Sequence, residues 1–237
     1  MASPFHISAK TLGLLALPGA CERCFWIRMR HEGRLPFQIF PGIFSTLDSY
    51  SKRMIENWFD RHGGPPPWLA DIGQIMRSIP PPHHSKFSVV DGDTSIHLTG
   101  TPDAVFELGD GSYAIVDYKT ARFTAAQDEL FPMYEAQLNA YALIGERHGF
   151  NPVSKLALVY TEPIAGDEAV TDDRHVTEDG FILGFRAHIL PVEIKPNLVP
   201  ALLRMAQRIL ESSTAPAGAS DCNDCAALER LLALAGS

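Results

Sequence analysis

Two Cys-x-x-Cys pairs, Cys21/Cys24 and Cys222/Cys225, stand near opposite ends of a 237-residue chain. Each pair can deliver two thiolates from one turn of chain, so together they suit a tetrahedral metal ion or an iron–sulfur cluster. If they share one, the two ends of the fold must meet in a clasp. The plainer alternative is four unconnected cysteines, or pairs that bind nothing. Disulfides are the weaker account, because a cytoplasmic location is expected. The apolar stretch before Cys21 echoes a lipoprotein signal, but Pro18 interrupts it and no basic cluster precedes it.

Hydrophobic residues make up 46% and charged residues 20%, which predicts one ordinary globular domain over 1–237. No apolar run is long enough to cross a bilayer. A net charge of -8 argues against a basic coat that grips nucleic acid over the whole surface. Positive charge gathers instead at Arg23, Arg28, Arg30 and Arg34, with Phe25 and Trp26 among them. That composition suits phosphates and base stacking. The alternative is a solvated arginine face over a core Trp26. No Gly-rich phosphate loop ending in Lys-Ser/Thr occurs, so the chain carries no motor of its own. His83–His84 follow a proline run and read as a solvated loop.

Residues 8–17 read as a short helix closed by Pro18–Gly19, and Tyr50, Met54 and Trp58 recur at helical spacing over 47–61. Four β-rich runs, 86–91, 94–99, 103–108 and 113–119, are divided by turn residues and predict an antiparallel meander. A long helix over 125–148, strands over 155–161 and within 180–194, and helices near 200–210 and 221–235 complete the pattern. The expected fold class is α/β, with a central mixed sheet flanked by helices.

The chemistry concentrates in the last strand of the meander and the helix after it. Strand alternation puts Asp117 and Lys119 on one side, where burying a charge is costly unless it is useful. Gln137 and Tyr141, four apart, share a helix face with Met133, Ala140 and Ile144 and point toward the sheet. A carboxylate, an ammonium and two polar groups can thus converge on one pocket. Carboxylates that hold Mg²⁺ or Mn²⁺ beside a lysine suit metal-assisted phosphodiester hydrolysis.

Gly100 with Pro102-Asp103, then Asp117-Tyr118-Lys119-Thr120, then Gln137 with Tyr141, resemble the PD-(D/E)XK nuclease superfamily, and within it the RecB-like branch of AddB-type and CRISPR-adaptation exonucleases. The resemblance covers 86–148 and implies a restriction-endonuclease-like core. It makes Asp103 and Asp117 the metal ligands and Lys119 the catalytic lysine, with Gln137 and Tyr141 contacting the lysine or DNA. It further implies a DNA nuclease that acts on single strands or ends, in repair, recombination or defence, with a helicase or similar protein as partner. A catalytically weak DNA-binding module is the alternative. In this branch a [4Fe–4S] cluster often staples the chain ends, through one N-terminal and three C-terminal cysteines. The two-plus-two arrangement here departs from that and leaves zinc open. A helix residue usually completes the metal site, and Glu56, His62 and His97 are the candidates. A regular hairpin closed around Asp110–Gly111 sets Ala104 opposite Asp117 and turns Asp103 away, so a bend near Pro102 is expected.

Overall fold

The computed structural model describes residues 5–31, 41–83, 85–124 and 129–236. The chain enters through β1 (His6–Ser8) and a short α1 (Ala9–Gly13), which runs on as a 3₁₀ turn over Leu14–Ala16. Helices α2 (Glu22–Arg30) and α3 (Gly42–His62) follow, then a 3₁₀ turn at Pro67–Ile72 and strand β2 (Ile75–Ile79). Strands β3 (Ser88–Val90), β4 (His97–Thr99), β5 (Ala104–Leu108) and β6 (Tyr113–Lys119) lead to α4 (Phe131–Arg147). Beyond it come β7 (Val153–Pro163), a one-turn α5 (Asp167–Val170), a small ribbon of β8 (Val176–Thr177) and β9 (Gly180–Phe181), β10 (Phe185–Val192), α6 (Leu198–Glu211) and α7 (Asn223–Ala235). No helix among the described residues is long and apolar enough to cross a membrane.

The central sheet has the order β10-β7-β6-β5-β2 and is mixed: β6 and β7 run parallel, and the other neighbours are antiparallel. Its pleat separates two cores. Val105, Ile115, Leu156, Leu158 and Tyr160 pack with α1, α4 and α6. Phe106, Ala114, Val116, Ala157 and Val159 pack with Ile55 of α3 and with Leu69 and Ile72 of the 3₁₀ turn. The sheet is thus flanked by helices on both faces, as expected.

Four details differ from the sequence reading. The meander is two hairpins in two sheets, because β1 adds to β4 in parallel and makes a separate three-stranded sheet, β1-β4-β3. Only Ala9–Gly13 of the first expected helix is α-helical, since Ser8 ends a strand and caps the helix by accepting from the Thr11 N–H. Strand β2 lies between two proline breaks, where the sequence offers little periodicity. Tyr50, Met54 and Trp58 do lie on a helix, but on its exposed side; α3 docks through Ile55, with Phe59 stacked on Phe106. The first residues of the expected long helix, 125–128, lie outside the described residues.

One further difference decides the chemistry. Leu108 and Ser112 close the β5–β6 hairpin, the Leu108 N–H donating to the Ser112 carbonyl at 2.8 Å. The loop is therefore Gly109-Asp110-Gly111, one residue longer than a closure around Asp110–Gly111 alone. Gly111 takes a left-handed φ of 80°, as a turn followed by a G1 bulge requires. Asp110 secures the loop by accepting from the Ser112 N–H and hydroxyl at 3.0 and 2.6 Å. Ala104 is consequently opposite Val116, not Asp117. The paired register ends there: the chain bends at Asp103, next to Pro102, so the expected irregularity is present just before β5. Gly111→Val, which forces a β-branched residue into the left-handed region, is expected to cost about 1–2 kcal/mol in urea unfolding.

Candidate active site

Asp117 lies on the central strand with only 4% of its surface exposed. One oxygen, Oδ1, accepts from Gln137 Nε2 at 3.2 Å, and Oδ2 forms an ion pair with Lys119 Nζ. Burial pushes the carboxyl up to about 6; the Lys119 ammonium pulls the other way, and the charge of Asp103 adds to the rise. Desolvation outweighs the pairing. Gln137 Nε2 also donates to Tyr141 Oη at 2.7 Å, which joins the two inward polar residues of α4 to the carboxylate. Burial and the charge of Asp117 push the Tyr141 phenol up, so it stays neutral. The Tyr141 ring presses against Gly100: a Cβ there would lie 2.4 Å from Cε1, so this position needs glycine. Lys119 extends past Asp117 to sit 4.4 Å from the Tyr134 ring centroid.

Asp103 precedes β5 and is held from two sides. Oδ2 accepts from the Tyr118 N–H at 2.7 Å, and Oδ1 meets Lys52 Nζ at 2.6 Å. The structure thus brings Asp103, Asp117, Lys119, Gln137 and Tyr141 together. Lys52 joins them unforeseen; its only mark in the sequence is the helical i,i+4 spacing from Asp48, whose Oδ2 lies 2.9 Å from the same ammonium. Beside Asp103 opens a pocket of about 500 Å³ between α3 and β2, lined in part by Lys52, Glu56, Asp103 and Tyr118. The buried Tyr118 hydroxyl has no partner there. Of the three candidates for a helix ligand, Glu56 shares this pocket. His62 stacks on Trp58 at 4.1 Å, and His97 meets His6 in the small sheet with Nδ1 atoms 2.8 Å apart. Asp103, Asp117 and Glu56 supply oxygen donors only, the type a hard cation such as Mg²⁺ or Mn²⁺ takes, although among the described residues only the four cysteines gather three or more ligand atoms close together.

The chain ends meet. Cys21 and Cys222 are the N-cap residues of α2 and α7, and Cys24 and Cys225 lie in the first turns. The Sγ atoms of Cys21 and Cys225 are 3.6 Å apart, and Cys24 lies 3.5 Å from both Cys222 and Cys225. All four fall within 4.8 Å of one another and could hold a metal ion. Burial works against a Cys21 thiolate, yet the Ala219 N–H and neighbouring groups hold it at about 6, while burial and the adjacent sulfurs push Cys24 up. Binding a cation would draw the remaining thiols to thiolate. The arginines serve this region. Arg23 pairs with Glu229 at 2.8 Å, and Arg30 donates to the Leu210 and Ser212 carbonyls and covers Trp26. Arg28 lines a hollow beside Cys21 and Cys24. Arg34 lies outside the described residues.

The raised Asp117 value has a consequence for stability. A carboxyl whose folded value is about 6 against an ordinary 3.8 favours the fold most below about pH 4, and that contribution is lost as pH rises through about 6. Asp117→Asn is neutral throughout. In divalent-free buffer its stability relative to wild type should rise by roughly 1–3 kcal/mol between about pH 4 and about pH 8, read from unfolding curves.

No curated protein matches the chain. Among solved structures, the crystal structure of SSO0001 resembles it with a TM-score of 0.43 at 12% identity, over 91% of this chain and 81% of that one, a likeness too distant to add to the assignment. A family model matches residues 47–230, a span that holds most of α3, both aspartates, Lys119, the inward face of α4 and the second cysteine pair. The chain belongs to the PD-(D/E)XK nuclease superfamily.

Proposed function

We propose that the chain is a Mg²⁺- or Mn²⁺-dependent deoxyribonuclease of the RecB-like branch. The observation that carries this reading is the ion pair of the buried Asp117 with Lys119 on one strand, beside Asp103, which accepts from the N–H of the intervening Tyr118. Asp103 and Asp117 would hold the divalent ion, with Glu56 and Asp60 as further carboxylates in the pocket beside Asp103. When bound, the ion makes water acidic enough to attack at neutral pH and offsets charge that builds on phosphorus. Lys119 orients the attacking water or the scissile phosphate, and Gln137 fixes the Asp117 carboxylate. Action on single strands or ends, in repair, recombination or defence, fits a chain that lacks a motor motif and would take opened DNA from a helicase.

The strand would run over positive and aromatic surface. Arg28 has no ion pair among the described residues, and the outer side of α3 presents Tyr50, Arg53, Trp58 and Arg61 around one shallow hollow. Such a surface suits phosphates and stacked bases. A second reading, DNA binding without cleavage, draws on one observation: each carboxylate is already paired with a lysine. End-labelled single- and double-stranded DNA, incubated with Mn²⁺ or Mg²⁺, separates the two. Cleavage by the wild type that falls by about 10²-fold or more in Lys119→Ala and Asp117→Ala is the expected result. Binding with no cleavage under either metal would establish the second reading.

For the clasp we favour a single zinc ion over the cluster implied by the resemblance. A tetrahedral ion with Zn–S bonds of about 2.3 Å sets its sulfurs ~3.8 Å apart, close to the 3.5–3.6 Å separations here. A cubane carries one thiolate on each iron and holds them roughly 6 Å apart, beyond the 4.8 Å that bounds this set. Protein purified anaerobically should carry about one zinc per chain by elemental analysis and be colourless. Iron and sulfide in equal amounts, with a brown charge-transfer band, would reverse this assignment.

A further inference from the structure

Lys52 is the one member of the site cluster that family likeness does not supply. Its ammonium bridges two carboxylates on different elements: Asp48 one turn earlier on α3, at 2.9 Å, and Asp103 beside β5, at 2.6 Å. The side chain is about one-third exposed and lines the pocket, so the ammonium stays within reach of solvent and of anything bound there. Asp103 has no idle oxygen, since Tyr118 N–H takes Oδ2 and Lys52 takes Oδ1. A divalent cation on Asp103 would meet an ammonium already in contact with the carboxylate, and the two positive charges repel. The long, flexible lysine stem allows the ammonium to draw back. Asp48 supplies a second partner to hold it when it does.

We propose that Lys52 is a positioning residue that competes with the divalent ion for Asp103, with Asp48 as the site to which it withdraws. This rests on the reading of Asp103 and Asp117 as metal ligands. Lys52 orients the Asp103 carboxylate and offsets its charge in the metal-free protein, and so weakens the site for free cations. Asp48 and Lys52 together set the affinity, although neither touches the reacting atoms.

A purely mechanical role predicts something else. Ile55 is the only fully buried side chain among the described residues of α3, so the Lys52–Asp103 pair also helps fasten the helix to the sheet. Loss of a fastener loosens the pocket and weakens metal binding. Loss of a competitor tightens it.

The test is a Mn²⁺ titration of the full chain, its clasp loaded as purified, with free Mn²⁺ counted by electron paramagnetic resonance. Lys52→Met, which keeps the length and removes the charge, should bind Mn²⁺ about tenfold more tightly than wild type. Asp48→Asn, which leaves Lys52 with Asp103 alone, should bind it several-fold more weakly, and Lys52→Arg should stay near wild type. Unchanged or weaker binding by Lys52→Met overturns the proposal. So does tighter binding by Asp48→Asn. Asp117→Asn is the separate control: if it binds Mn²⁺ as well as wild type does, the reading of the carboxylates as metal ligands fails before the role of Lys52 is reached.

Discussion

A carboxylate buried on the central strand is the constraint around which this fold is arranged. Asp117 sits between β5 and β7 at 4% exposure, where an ionised group without partners would be prohibitively costly. Its neighbours reduce that cost. Gln137 donates from α4, Lys119 pairs from two residues along the same strand, and Tyr141 shares the Gln137 amide. Even so, desolvation exceeds the attraction and leaves the carboxyl raised to about 6. A second cation beside it would tip that balance toward the ionised form.

The second aspartate reaches the site through a turn and not through a helix. Three loop residues join β5 to β6, and the left-handed Gly111 is what allows the third. One residue fewer would reverse the facing of β5, because strand side chains alternate. The loop thus sets Ala104 opposite Val116, and the bend at Asp103 then brings its carboxylate onto the Tyr118 N–H, beside Asp117. The far side of the same sheet end is closed by α3, which is only lightly docked, so the polar contact of Lys52 with Asp103 matters both to helix placement and to the charge of the site.

Legibility in the sequence followed the range of the cause. The pairing of Asp117 with Lys119, and of Gln137 with Tyr141, depends only on the local period of a strand or helix, and both pairs lie where their spacing puts them. The register of β5 depends on loop length, which the Gly-Asp-Gly-Ser run leaves ambiguous by one residue, and the bend at Asp103 lies where Pro102 led one to be expected. The split of the expected meander depends on β1, a strand some ninety residues away that no local pattern announces. The period of α3 was readable but its orientation was not: Tyr50, Met54 and Trp58 face solvent while Ile55 and Phe59 face the sheet, and Lys52, on the inward side, looked like an ordinary surface charge. The cysteine pairs were legible as a clasp because each Cys-x-x-Cys is a local pattern, and their four sulfurs do gather although some two hundred residues separate the pairs.

That convergence affects more than the chain ends. The clasp ties the first turn of α2 to the first turn of α7, and Arg30 and Trp26 then bind α2 to the carbonyls that end α6. Helices α1 and α6 pack on α4, the helix that carries Gln137 and Tyr141. A cross-link closing a loop of this length removes on the order of 5 kcal/mol of unfolded-state entropy by the loop-closure account, and lengthening the loop further would add little. The benefit therefore comes from where the clasp lies. It fastens the outer layer over α4, whose inner face must keep two polar side chains aimed at a buried carboxylate. No cysteine lines the pocket beside Asp103, so a metal held by the clasp could bear on that pocket only through this packing.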